Sequence, residues 1–133
     1  MQRIESPATG DSAIEQEIKA KGLTAPRVTP ADIAKEIVSE HYFTAGEGAT
    51  FQAGLIPDQL HLLTFCVLIL RNGFTVTGES ACASPENFDA EIGRKIAREN
   101  AVNKIWPLLG FRLRDKLQWS KEQHDMLNPV YQD

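Results

Sequence analysis

Between Leu62 and Cys82 the chain is dominated by apolar and β-branched residues, interrupted once by "RNGF". Asn and Gly tolerate the positive φ angles of a two-residue type I′ turn, so the pattern predicts a β-hairpin with Asn72-Gly73 at its tip. Counting back from that tip sets Leu70 opposite Thr75, Ile69 opposite Val76, Leu68 opposite Thr77 and Cys66 opposite Glu79. One face then carries Leu63, Phe65, Val67, Ile69, Phe74 and Val76 and is the expected core face. The other carries Thr64, Cys66, Leu68 and Leu70 beside Thr75, Thr77, Glu79 and Ala81. A lone hairpin is not stable in water, so another element has to cover it.

The segment "SPENFDAEIGRKIARENAVNKIW" supplies that cover. Ser84 is the expected N-cap, with Pro85 at the first helical position. Phe88, Ile92, Ile96, Ala97, Ala101 and Ile105 form an apolar stripe at helical spacing, with Gly93 beside it to admit the sheet. Pro107 disfavours helix at Trp106, so the helix is expected to end or kink there. Gly110 reads as a turn. Residues 111–119 fit a third strand and a short helix equally well.

Upstream, Thr29 and Pro30 open a helix whose stripe is Ile33, Ile37 and Val38, expected to run over residues 30–42. A Gly-rich loop follows, closed by Pro57-Asp58. Ser12 and Glu15 form a candidate capping box for an earlier helix ending at Gly22. Its two large apolar residues, Ile14 and Ile18, leave it marginal unless it docks. The expected fold class is α+β: an antiparallel hairpin, open to extension by a third strand, packed on one long helix with additional N-terminal helices. Residues 1–28 read as a flexible segment with that marginal helix, 29–119 as a single α+β domain, and 120–133 as a tail.

Composition adds bounds rather than identity. A chain of 133 residues with 42% hydrophobic residues suits one domain without staples. No apolar run reaches the length of a membrane span, and the first residues lack an apolar secretory core. Two cysteines and no export signal point to a reducing cytoplasm. The net charge of −4 argues against bulk nucleic-acid binding. Residues 91–121, however, hold eight basic residues against Glu91, Glu99 and Asp115, so a local basic face is an alternative.

Candidate chemistry is sparse. Cys66 and Cys82 fall on opposite hairpin faces, about 10 Å apart along the strand, too far for a disulfide. Cys82, just before a helix start, is the better reactive candidate. His41, His61 and His124 lie in three elements without ligand spacing, so no metal is expected. There is no nucleophile elbow, Walker loop or dinucleotide fingerprint, so no catalytic residue and no cofactor is assigned. The most suggestive stretch is "TVTGESACASPEN", a strand running into a helix N-terminus, where free N–H groups suit an anion. The candidate ligand- or partner-binding residues are Thr77, Glu79, Ser80, Ser84 and Asn87, with Arg94 and Arg98 further along the helix.

The run "NGFTVTGESACASPENFDAEIG", with "HYFTAGEG" upstream, resembles a family of small tailed-phage and prophage proteins. That family is named after coliphage N-four gene product forty-nine and Shigella phage Sf-six gene product sixty-six. The resemblance spans roughly Val28 to Leu117. It carries no established activity and hence no catalytic residues; it implies a phage or prophage product made in the host bacterial cytoplasm. With no convergent catalytic constellation, the favoured function is a non-enzymatic binding protein. It would modulate a host defence or regulatory system by binding a protein surface or a small anionic ligand. The alternative is an enzyme or nucleic-acid-processing accessory using the basic 91–121 face. The mixed face of Leu68, Leu70, Thr75 and Thr77 suggests a homodimer.

Overall fold

The computed structural model describes residues 10–51 and 54–129. The expected N-terminal tail before Gly10 and the last residues of the C-terminal tail lie outside the described residues. Five α-helices and three strands form an α+β fold: α1 (Gly10–Ala20), α2 (Pro30–Glu36), β1 (Ile37–Thr44), α3 (Ala45–Gly48), β2 (Leu63–Leu70), β3 (Thr75–Ala81), α4 (Ala90–Asn103) and α5 (Ile105–Leu127). The strands make one antiparallel sheet in the order β1-β2-β3, and α4 crosses one face of β2 and β3.

The Thr29 cap is as expected. Its hydroxyl accepts from the Asp32 N–H at 3.2 Å, and the Asp32 carboxylate accepts from the Thr29 N–H at 2.9 Å. The helix it opens, however, stops at Glu36, six residues short of the expected end. "IVSEHYFT" is rich in β-branched and aromatic residues, and β2 offers it a full-length partner, so it becomes the third strand. Residues 111–119, the other candidate for that strand, are helical within α5. At the start of the chain, Ser12 lies inside α1 rather than capping it. Gly22 does close α1: it has φ +66, and the Leu23 and Gly22 N–H groups return to the carbonyls of Ile18 and Lys19.

The hairpin forms with a different turn. The Leu70 N–H donates to the Phe74 carbonyl and the Gly73 N–H to the Leu70 carbonyl, both at 2.8 Å. Gly73 alone in this turn has positive φ, +88. The loop is therefore Arg71-Asn72-Gly73, a three-residue turn with its glycine left-handed, not a two-residue type I′ turn. The extra residue slips the register by one, so Ile69 faces Thr75, Leu68 faces Val76 and Cys66 faces Gly78. Because side chains alternate, the slip inverts β2 relative to β3. Thr64, Cys66, Leu68 and Leu70 join Val76 and Gly78 beneath the helices, while Phe65, Val67 and Ile69 are half-buried on the outer face and Phe74 is exposed. The expected β3 face was correct; the expected β2 face was its opposite. The face proposed for a dimer is corrected by the same slip. Leu68 and Leu70 are core residues, and only Thr75 and Thr77 remain on the surface.

The covering helix also starts and packs differently. Ser84 opens a single 3₁₀ turn, Pro85–Asn87, and the α4 N-cap is Asp89, whose carboxylate accepts from the Ile92 N–H at 3.0 Å. The inward stripe is Gly93, Ala97, Ala101 and Ile105; Ile92 and Ile96 are exposed. These small residues let α4 lie close on the sheet. A Cβ on Gly78 would stand 2.1 Å from the Ala97 carbonyl oxygen. The break between α4 and α5 falls at Lys104, and Pro107 sits in the first turn of α5, where its missing N–H costs nothing. Gly110 lies within α5, which continues to Leu127.

Candidate ligand-binding site

The strand register builds a polar row at one end of the covered sheet face. Thr44 pairs with Thr64 and Thr64 with Ser80, so three hydroxyl-bearing residues line up across β1, β2 and β3 near the start of α4. Thr64 is 3% exposed. The Phe88 side chain stands at this row; a Cβ on Gly93 would touch both its ring and the Thr64 hydroxyl. Cavities of about 160 and 130 Å³ open on its two sides, and Thr64 and Phe88 line both. The larger lies between β1 and α4 and includes Tyr42, Thr44, Glu47 and Arg94. The smaller, on the β3 side, includes Ser80, Cys82, Asn87 and Ile92.

Two arginines one turn apart on α4 face β1 with different fates. The Arg98 Nε donates to Glu40 at 2.6 Å, and the Tyr42 hydroxyl donates to the other oxygen of the same carboxylate at 3.0 Å. Arg94 makes no ion pair among the described residues. Burial, reinforced by the bond to Glu40, pushes the Tyr42 phenol well above its ordinary value, so it stays a neutral donor. Burial likewise pushes the neighbouring Cys66 thiol up, which makes it a core residue rather than a nucleophile. The Cys82 Sγ donates to the Ser84 carbonyl at 3.1 Å, and both cysteines are free.

The seven residues singled out in the sequence divide into three groups. Ser80 and Asn87 meet at the smaller cavity, with Ser84 held beside it through Cys82. Arg94 reaches the larger cavity and Arg98 the Glu40 carboxylate. Thr77 and Glu79 are exposed on the opposite, outer sheet face, away from the rest. The anion position at the start of α4 is taken by Asp89, the helix's own cap. Tyr42 and Glu40 escaped sequence reading because their segment was read as helix, and Thr44 because it was read as the start of a loop; the β-forming character of "HYFT" was the available signal.

The basic residues of 91–121 do not share one face. Arg94 and Arg98 point toward β1, Arg112 and Lys116 line a separate cleft beside α2, and Lys95 and Lys121 pair along their own helices with Glu91 and Asp125. Among the described residues, no group of His, Cys, Asp and Glu is arranged to hold a metal ion, and no helix is long and apolar enough to cross a membrane.

Comparison with known proteins gives one match. Residues 28–117 fit the model of the phage protein (N4 Gp49/phage Sf6 gene 66) family. No curated protein and no solved structure matches the chain.

Proposed function

The chain belongs to that phage protein family, and we propose that it is a non-enzymatic binding protein that modulates its bacterial host by holding a small anionic ligand between β1 and α4. One observation carries this reading. Arg94 presents a guanidinium without an ion-pair partner, among the described residues, to a cavity bounded by the Tyr42 and Phe88 rings and the Thr44 and Thr64 hydroxyls. Guanidinium, rings and hydroxyls together suit a small molecule bearing a phosphate or carboxylate, of a size that a cavity of about 160 Å³ can hold. Glu40, beside the cavity, is already shared between Arg98 and Tyr42, and Glu47 is the acid that lines the cavity itself. As a phage product of this kind, the protein acts in the host cytoplasm.

Self-association belongs to the same reading, through the outer sheet face. Phe43 and Phe65 stack there with ring centroids 5.4 Å apart, and Val67 and Ile69 continue the band. Its ionisable side chains are few, His41 and Glu79, so two copies approach without strong repulsion. Val67→Glu is expected to shift a dimer to monomer in sedimentation equilibrium; a wild-type monomer at all concentrations would refute this part.

The ligand reading is tested by native mass spectrometry of protein recovered from infected cells, followed by calorimetric titration of the retained molecule. Arg94→Ala is expected to abolish retention while leaving the fold intact. Retention unchanged in Arg94→Ala would overturn the assignment.

A further inference from the structure

We propose a second anion site, independent of the first, in the cleft where α2, the hairpin tip and the start of α5 meet. It takes a compact dianion of the phosphate class. The cleft has a volume of about 270 Å³ and is lined by Lys35, Arg71, Arg112 and Lys116, with Arg27 at its rim. That volume sits just under the about 300–1,000 Å³ of pockets that enclose larger ligands, so a small ion fits it better than an extended molecule.

The cleft is organised around Glu36, the last residue of α2, which is 5% exposed. Arg112 reaches it from α5 with two hydrogen bonds, of 2.8 and 2.9 Å. The Glu36 carbonyl accepts the Arg71 N–H at 3.0 Å, which anchors the hairpin tip at the same place. Three chain segments distant in sequence are therefore fixed together, each carrying a further cation: Lys35 beside Glu36, Arg71 at the turn, and Lys116 one turn beyond Arg112.

The charge balance identifies the ligand. Arg112 is neutralised by Glu36 and Arg27 by Glu15. Lys35, Arg71 and Lys116 have no ion-pair partner among the described residues. The remaining acid, Asp32, is engaged in capping Thr29. Three cations against one carboxylate leave an uncompensated charge of two, on a protein whose net charge is −4. Like charges gathered in one solvent-open cleft still repel one another, and a dianion relieves that repulsion while accepting several charge-assisted hydrogen bonds.

The test is isothermal titration of the full chain with inorganic phosphate at pH 8 and low ionic strength, with a phosphate monoester, glycerol phosphate, in a parallel arm. Saturable binding of one ion per chain is expected. Preference for the monoester would place a phosphorylated metabolite in the cleft, and preference for inorganic phosphate the free ion. Arg71→Ala and Lys116→Ala, both at exposed side chains, should each weaken binding by about tenfold. Lys35→Ala serves as a third variant should either misfold by circular dichroism. Repeating the titration on Arg94→Ala protein removes any contribution from the β1–α4 cavity, and one ion per chain should still bind. The proposal is overturned if the wild type binds neither probe. Binding that survives the Arg71→Ala/Lys116→Ala double variant would also overturn it, as would equal weakening by Lys95→Ala, the mark of general charge attraction.

Discussion

Leu70 and Phe74 face each other across the hairpin turn, the Leu70 N–H donating to the Phe74 carbonyl at 2.8 Å, and this pairing decides which side of β2 is the core. With three residues between them instead of two, the even-numbered positions 64–70 turn inward.

The register is open to direct measurement. Leu68→Ala removes a fully buried side chain and should cost about 2–5 kcal/mol in urea unfolding. Val67→Ala, next in sequence but on the outer face, should cost about 1 kcal/mol or less. Equal losses would contradict the observed pairing.

Gly78 is a second check, on how closely α4 approaches the sheet. An added methyl would meet the Ala97 carbonyl at 2.1 Å and the Ala101 nitrogen at 2.3 Å, both backbone atoms that cannot swing aside. Gly78→Ala should therefore destabilise by about 3 kcal/mol or more, visible as a fall in Tm. Gly110→Ala, where nothing lies within 4 Å, should be neutral or slightly stabilising.

The Glu36–Arg112 pair predicts a specific response to acid. The two hydrogen bonds from Arg112 hold the Glu36 carboxyl below its ordinary value of 4.5. A carboxyl depressed in the folded state contributes stability that is complete above its unfolded value and is lost as pH falls through the folded one. Arg112→Ala should thus cost about 2–3 kcal/mol at neutral pH, and the gap to wild type should close as pH falls below the ordinary 4.5 and through the folded-state value. A pH-independent gap would mean that packing, not the ion pair, joins α5 to α2.

Tyr42 should resist ionisation. Burial and the bond to Glu40 raise its phenol above the ordinary 10.0, so Tyr42 should fail to ionise near that value in an ultraviolet pH titration. A phenol raised on folding adds stability that is present at lower pH and lost as pH climbs past the folded value. Glu40→Gln should bring the Tyr42 transition down; a Tyr42 phenol ionising near its ordinary value in the unaltered protein would contradict the network.

Much of the build was legible because it rests on local chemistry. The Thr29 N-cap, the Gly22 helix stop, the existence of the hairpin and the inward side of β3 each depend on residues within a few positions of one another. The site was legible only in part. Arg94, Ser80 and Asn87 stood out by their place near a helix start, whereas Tyr42, Thr44 and Thr64 join them only through cross-strand pairing.

The sequence by itself determined the element types from Thr75 to Asn103, the α+β class and the family. Tertiary structure decided three things that no local rule contains: that residues 37–44 leave a helical pattern to pair with β2, that the turn takes three residues, and that α4 presents glycine and alanines rather than isoleucines to the sheet. In each case the local pattern admitted more than one arrangement, and the choice fell to partners distant along the chain. β2 supplied hydrogen bonds for β1, the slipped register put Leu68 and Leu70 under the helices, and the bare backbone at Gly78 let α4 come close enough to bury them.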